Sequence, residues 1–400
     1  MLSATLAAPV DLRKFFVRLF PSPGPAGPAQ PLERQKVMTQ LMQANKQWAT
    51  RPDEERFISL IEMHAAAEAR RAISRASIVS SRSLRCATVD NQQGLTIVGP
   101  SGHEVAPTNW SFGQLATLAG APAGYLRDLP APLAADCVDF GLQTRPVEDV
   151  GILLTRAGDG VQLRAATGPR YGRIWDADVI AALVDRFGDG VSGDWRVPGS
   201  RGRRLESVTK ANTTLYAGDR DMFVFLCDED HRVEVPNRRD GEPGTLARGF
   251  FLSNSEVGGG TLRLKTFLFD FACDNRIVWG ARELDEIVIR HTASAPDRFI
   301  DEISPALVAY SAAAESATLG VIQAAQAAKL DRPAQWLANR FGPRVAKRVE
   351  HAHFLDEGRP IETIWDAVTG ATAYARGIPH QSERVAFETE AGALLDLVEA

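Results

Sequence analysis

The sequence predicts an α+β protein with a central, mostly antiparallel β-sheet, packed helices, and helical N- and C-terminal regions. Three observations carry this expectation. Strand-like alternation and Gly-rich turns are confined to the middle of the chain, helix-forming stretches dominate both ends, and strands do not alternate with helices as a doubly wound parallel sheet requires. At 400 residues the chain exceeds one compact core, so several packed subdomains are expected.

Taken in order, Pro21 to Pro31 interleaves prolines with Gly, Ala and Ser, and proline supplies no backbone donor. Residues 1–31 therefore read as a mobile basic arm with a proline-rich linker. Residues 32–80 read as helical, from their Ala, Gln, Glu, Met and Arg content, with a break near Pro52. Residues 81–145 read as a small hairpin plus helices, the first of these starting at Asn109 or Ser111 as its cap. Within 146–300, the α+β core, the clearest hairpin is Gly151 to Ala166, turning at Gly158-Asp159-Gly160. A helix follows over Ile174 to Phe187. Strands are expected at Thr213 to Tyr216, Met222 to Cys227, Arg248 to Ser253 and Thr261 to Phe271. Residues 301–400 read as a helical C-terminal region, with helices over Ala306 to Lys329, Arg332 to Phe341, Arg344 to His353, Ile361 to Tyr374 and Ser382 to Val398.

Composition excludes several classes. No apolar run approaches the ~20 residues needed to span a bilayer, so no membrane partner is expected. Near the N-terminus the charges of Arg13 and Lys14 follow the apolar stretch, the reverse of a secretory signal. Cys86, Cys137, Cys227 and Cys273 show neither C-x-x-C pairing nor a disulfide framework and read as reduced thiols, so a cytoplasmic location is expected. The net charge of −5 removes the simplest argument for nucleic-acid binding and leaves local basic patches to carry it.

Several motifs form a recognisable set. Arg164 to Asp176 places an arginine-bearing segment before an Arg170-Tyr171 pair and a helix start. Asp219 to Phe225, Phe251 to Gly258 with its Asn254-Ser255-Glu256 turn, Leu264 to Trp279 with Cys273-Asp274-Asn275, and Ile289-Arg290-His291-Thr292 complete it. Together these blocks resemble the DUF932 family of phage- and plasmid-borne proteins over roughly Trp110 to Arg298, with a looser echo near Trp365 to Ala373 and Arg384 to Gly392. The resemblance implies residence on mobile elements and carries no established activity.

The candidate chemistry follows from residue types. Arg164, Arg170, Tyr171 and Arg173 combine guanidinium forks with an aromatic face, a set suited to clamping phosphates and stacking a base. Arg203 and Arg204, with Arg263 and Lys265 sharing one strand face, extend a candidate nucleic-acid surface. The alternative is that Tyr171 packs in the core while the arginines pair with acids such as Asp176 or Asp178. The polar turn candidates are Asn254, Ser255, Glu256, Asn275 and His291, of which Asn275 and His291, together with Cys273, form the enzyme alternative. No Gly-Lys-Ser/Thr of a P-loop is present, and no cofactor is expected. Asp228-Glu229-Asp230-His231 reads as an acidic tip between strands. His351 and His353 do not share a helical face, so no metal is expected at either place. The leading expectation is an accessory protein of a phage, plasmid or integrated element, an oligomeric single-stranded-DNA-binding factor in replication, recombination or protection. The alternative is an interaction protein without nucleic-acid binding, whose partner is a host or element-encoded protein.

Overall fold

The structure, a computed structural model, describes residues 51–89, 94–198, 207–235, 243–271, 275–277, 286–312 and 316–398, with only the backbone described at 275 and 316–318. The described chain forms two compact units: an inserted unit, Ala72–Tyr171, and a main unit built from 51–71 and 172–398. These boundaries cut the 146–300 segment at Tyr171, so its hairpin belongs with the module before it.

In chain order, β1 (Arg56–Phe57) and α1 (Leu60–Ala72) come first. The inserted unit then carries β2 (Ser74–Ser80), β3 (Arg85–Thr88), β4 (Leu95–Val98), β5 (Glu104–Pro107), α2 (Asn109–Ala119), α3 (Ala123–Asp128), α4 (Ala131–Thr144), β6 (Asp149–Ala157) and β7 (Gly160–Thr167). Its six strands lie in the order β2-β6-β7-β5-β4-β3, and every pair except β5–β7 is antiparallel. The β6–β7 hairpin forms where the sequence places it, with Gly158 at φ +56° in the turn, a conformation that favours glycine. Leu95, Ile97, Phe112, Leu115, Val138 and Ile152 build this unit's core. The cap of α2 is Thr108, one residue before the expected Asn109: its Oγ1 accepts a hydrogen bond from Ser111 N at 3.1 Å, satisfying one of the free amides of the first turn.

The main unit resumes with α5 (Asp176–Phe187), β8 (Trp195–Arg196), β9 (Leu215–Ala217), β10 (Met222–Val235), β11 (Gly244–Asn254), β12 (Leu262–Asp270), β13 (Asn275–Ile277) and β14 (Ile287–Ile289). The helices α6 (Ala295–Ala312), α7 (Ser316–Ala327), α8 (Pro333–Phe341), α9 (Pro343–Glu357), α10 (Ile364–Ala375) and α11 (Gln381–Gly392) follow. The sheet runs β1-β9-β10-β11-β12-β13, with β8 on β10 and β14 on β12, all antiparallel. Both faces are covered. Met222, Val224, Leu226, Phe250 and Leu252 pack with α1, α5 and α6, while Phe223, Phe225, Phe251 and Phe267 face the other way, where Val385 of α11 joins them. Burial on both faces explains why Met222 to Cys227 reads as an unbroken apolar run rather than an alternation. The overall class is α+β, as expected.

Two expectations are corrected here. The Asp228–His231 segment is not a tip between strands but lies within β10, where the pairing with β11 shifts register between Cys227 and Arg232. The helix expected over Ala306 to Lys329 begins earlier, at Ala295, and is described as α6 and α7. No helix among the described residues is long and apolar enough to cross a membrane.

Candidate functional site

Three of the sequence blocks singled out above converge in the main unit at the N-terminus of α5. The first turn of any helix leaves backbone amides without intrahelical partners and carries partial positive charge. No side chain of the preceding Trp175 caps α5. The carboxylate of Glu256, brought in by the turn after β11, accepts the hydrogen bond of Asp176 N at 3.0 Å. Asn254, the last residue of β11, donates from Nδ2 to Ile174 O at 2.9 Å and to Asp176 Oδ1 at 2.8 Å. Ser255 closes its own turn, donating to Arg220 O at 2.6 Å and accepting from Gly259 N at 2.8 Å. Gly258 takes φ +84° in that turn. Asp176, Asn254, Ser255 and Glu256 are all buried.

His291 joins from the third block. Its Nδ1 lies 3.1 Å from Gly172 O, so the ring donates to that carbonyl, and Gly172 N donates back to His291 O at 3.0 Å. Burial, with the nearby Arg173 charge adding to it, pulls the His291 pKa below its ordinary value despite the bond to Gly172. The folded state therefore resists protonation that the unfolded chain accepts, and stability falls as the pH drops below the unfolded value of about 6.5. Urea denaturation at pH 7.5 and 5.5 is expected to show this loss in the parent and a smaller one in His291→Gln. An equal loss in both would assign the effect to other groups.

The described basic candidates fall in both units and differ in exposure. Arg164 is buried within β7 of the inserted unit, Arg170 is exposed, and Tyr171 is half-buried. Arg173 is half-buried in the main unit, its guanidinium 5.8 Å from the Trp175 ring centroid, with Arg71 at 5.5 Å from the same ring. Arg263 and Lys265 share one strand face as expected, but both meet Glu286, at 3.0 and 3.5 Å. Arg203, Arg204 and Cys273 lie outside the described residues, and the Asn275 backbone pairs with Asp270 in β13.

The acidic segment of β10 is neutralised residue by residue: Asp228 by Arg248 of β11 at 3.2 Å, Glu229 by Arg232 of β10 itself at 3.5 Å and Asp230 by Arg196 of β8 at 3.2 Å. Among the described residues, no group of three or more His, Cys, Asp or Glu side chains is placed to hold a metal ion. Burial raises the thiol pKa of Cys86 to about 12 and that of Cys227 well above its ordinary value, so neither supplies a thiolate at neutral pH.

A different feature of the main unit escaped the sequence reading. Between α5 and α6 runs a groove enclosing about 1100 Å³, including the part open to solvent. Ala181 and Ala182 form its α5 wall, Ile300 and Val308 its α6 wall, and Phe299 and Leu307 its floor. Ile300 and Val308 are 40% and 49% exposed, a large apolar display on one helix. The signal was present as Ile300, Leu307 and Val308 at i, i+7 and i+8, but periodicity alone does not say which apolar positions stay exposed in the fold. No family model matches the chain, and no curated protein or solved structure matches it.

Proposed function

We propose that the protein is an interaction protein of a phage, plasmid or integrated element, as its resemblance to DUF932 implies, and that it binds a helical segment of a protein partner between α5 and α6. The groove carries this reading. Its α6 wall spans Pro296 to Val308, about 18 Å of helix at 1.5 Å per residue, matching roughly three turns of a partner helix. The small side chains of Ala181, Ala182 and Ser304 let a second backbone approach closely, and helix-in-groove recognition reads anchors at such spacings.

The nucleic-acid reading requires unneutralised cations on one surface. Arg164 is buried, Arg263 and Lys265 share Glu286, and the net charge is −5, all of which favour the protein partner. The test uses a fluorescent amphipathic helical peptide with a Leu-rich face and neutral Gln flanks, beside labelled single- and double-stranded DNA across a salt series. Peptide binding is expected, with loss in Ile300→Asp/Val308→Asp and retention in Arg170→Ala/Tyr171→Ala. Salt-sensitive DNA binding lost in the Arg170/Tyr171 variant, with no peptide binding, would overturn the reading and restore the nucleic-acid one.

A further inference from the structure

We infer that the segment taken by this groove is a basic amphipathic helix, with Lys or Arg flanking its apolar face. The inference rests on the groove reading above and adds the chemical class of the partner.

Carboxylates border the groove on both sides. Asp178 and Asp185 line it from α5 and stand seven residues apart, so two turns separate them, about 10 Å along the helix axis. On α6, Asp297 and Asp301 follow Pro296 and Ile300 by one position each and are exposed, one turn apart on the flank of the lining face. Asp178 is already paired with Arg71 at 2.6 Å. Asp185, Asp297 and Asp301 make no ion pair among the described residues. The cation that lines the groove is Arg186, which donates to Ser311 Oγ at 2.7 Å. The rim is therefore net acidic above an apolar floor.

Such a rim discriminates by sign. A partner helix with acidic flanks meets like charge at both walls, whereas a basic one gains attraction that also speeds encounter. Because the carboxylates are exposed, the attraction is screened within about 8 Å at physiological salt, so the preference is strongest when salt is low.

The test is a charge series on the peptide described above: the same Leu-rich face with Gln, Lys or Glu flanks, titrated by fluorescence polarisation against the full chain at low and high salt. The Lys-flanked peptide is expected to bind about tenfold tighter than the Gln-flanked one at low salt, to lose most of that advantage at high salt, and to outcompete the Glu-flanked one throughout. Asp185→Lys/Asp301→Lys is expected to invert the ranking of Lys and Glu flanks. Both substitutions are at exposed positions, so retained affinity for the Gln-flanked peptide reports an intact fold. Equal binding of all three peptides would overturn the inference while leaving the groove reading in place. Binding of none, or binding unaffected by Ile300→Asp/Val308→Asp, would overturn both.

Discussion

Glu388→Ala is expected to destabilise the main unit by about 3–5 kcal/mol, read as a fall in the urea midpoint of its unfolding. Glu388 on α11 is fully buried and its Oε1 accepts from two guanidiniums, Arg276 Nε at 3.1 Å and Arg384 Nε at 2.7 Å. Arg276 is itself buried, with its Cζ 4.0 Å from the centroid of the Phe225 ring. Burial, reinforced by the neighbouring Arg384 charge, pulls the Arg276 pKa down to about 10, which still leaves it charged at neutral pH. Truncating the carboxylate therefore strands one fully buried cation and one partly buried cation, and the cost is mainly that of the uncompensated charge. The pair itself contributes far less than its removal costs. Among the described residues Arg276 Nη2 and Glu388 Oε2 have no hydrogen-bond partner, so the desolvation of both ions is only partly offset. Arg276→Met combined with Glu388→Leu should accordingly recover most of the loss. A Glu388→Ala variant within about 1 kcal/mol of the parent would show that the three side chains do not meet.

This triad also marks the limit of what the sequence made legible. Local pattern sufficed for the β6–β7 hairpin, where a turn glycine sits between two apolar runs, and for Met222 to Cys227, where an unbroken apolar run signals burial on two faces. It failed where a residue's role depends on a partner far along the chain. Arg276 and Glu388 are 112 residues apart, and nothing local distinguishes them from surface charges. Asp228, Glu229 and Asp230 read as one acidic cluster because they are consecutive. They lie where the pairing of β10 with β11 shifts register, and each finds a separate arginine. The polar turn was more legible than its purpose. Asn254, Ser255, Glu256 and His291 were singled out as candidates for chemistry, and the fold joins Asn254, Glu256 and His291 to the loop before α5. The sequence could not show that their bonds are spent on caps and carbonyls. The groove was the converse case: its apolar series was visible on α6, but its exposure depends on how α5 packs beside it.

Gly172→Ala is expected to cost about 3 kcal/mol or more, whereas Gly168→Ala, four residues earlier in the same motif, should change stability by no more than about 0.5 kcal/mol. The two glycines are indistinguishable in sequence, and neither adopts a positive φ. Space separates them. A Cβ on Gly172 would lie 1.8 Å from the backbone oxygen of Thr292, 2.7 Å from its carbonyl carbon and 2.9 Å from Pro296 Cδ, while one on Gly168 meets nothing within 4 Å. Two of the three atoms crowding Gly172 are backbone, so a side-chain rotation cannot relieve the contact. Either the loop before α5 or the segment leading into α6 must shift. A shift breaks the paired hydrogen bonds between Gly172 and His291 and displaces Pro296, the first residue of α6 to line the groove. On the groove reading, stability and recognition are coupled at this glycine. In the peptide titration Gly172→Ala should weaken binding under conditions where the variant is still folded, and Gly168→Ala should leave it unchanged. If Gly172→Ala lost stability but bound peptide like the parent, the displacement would be absorbed before α5, and the α6 wall would be set independently of this contact.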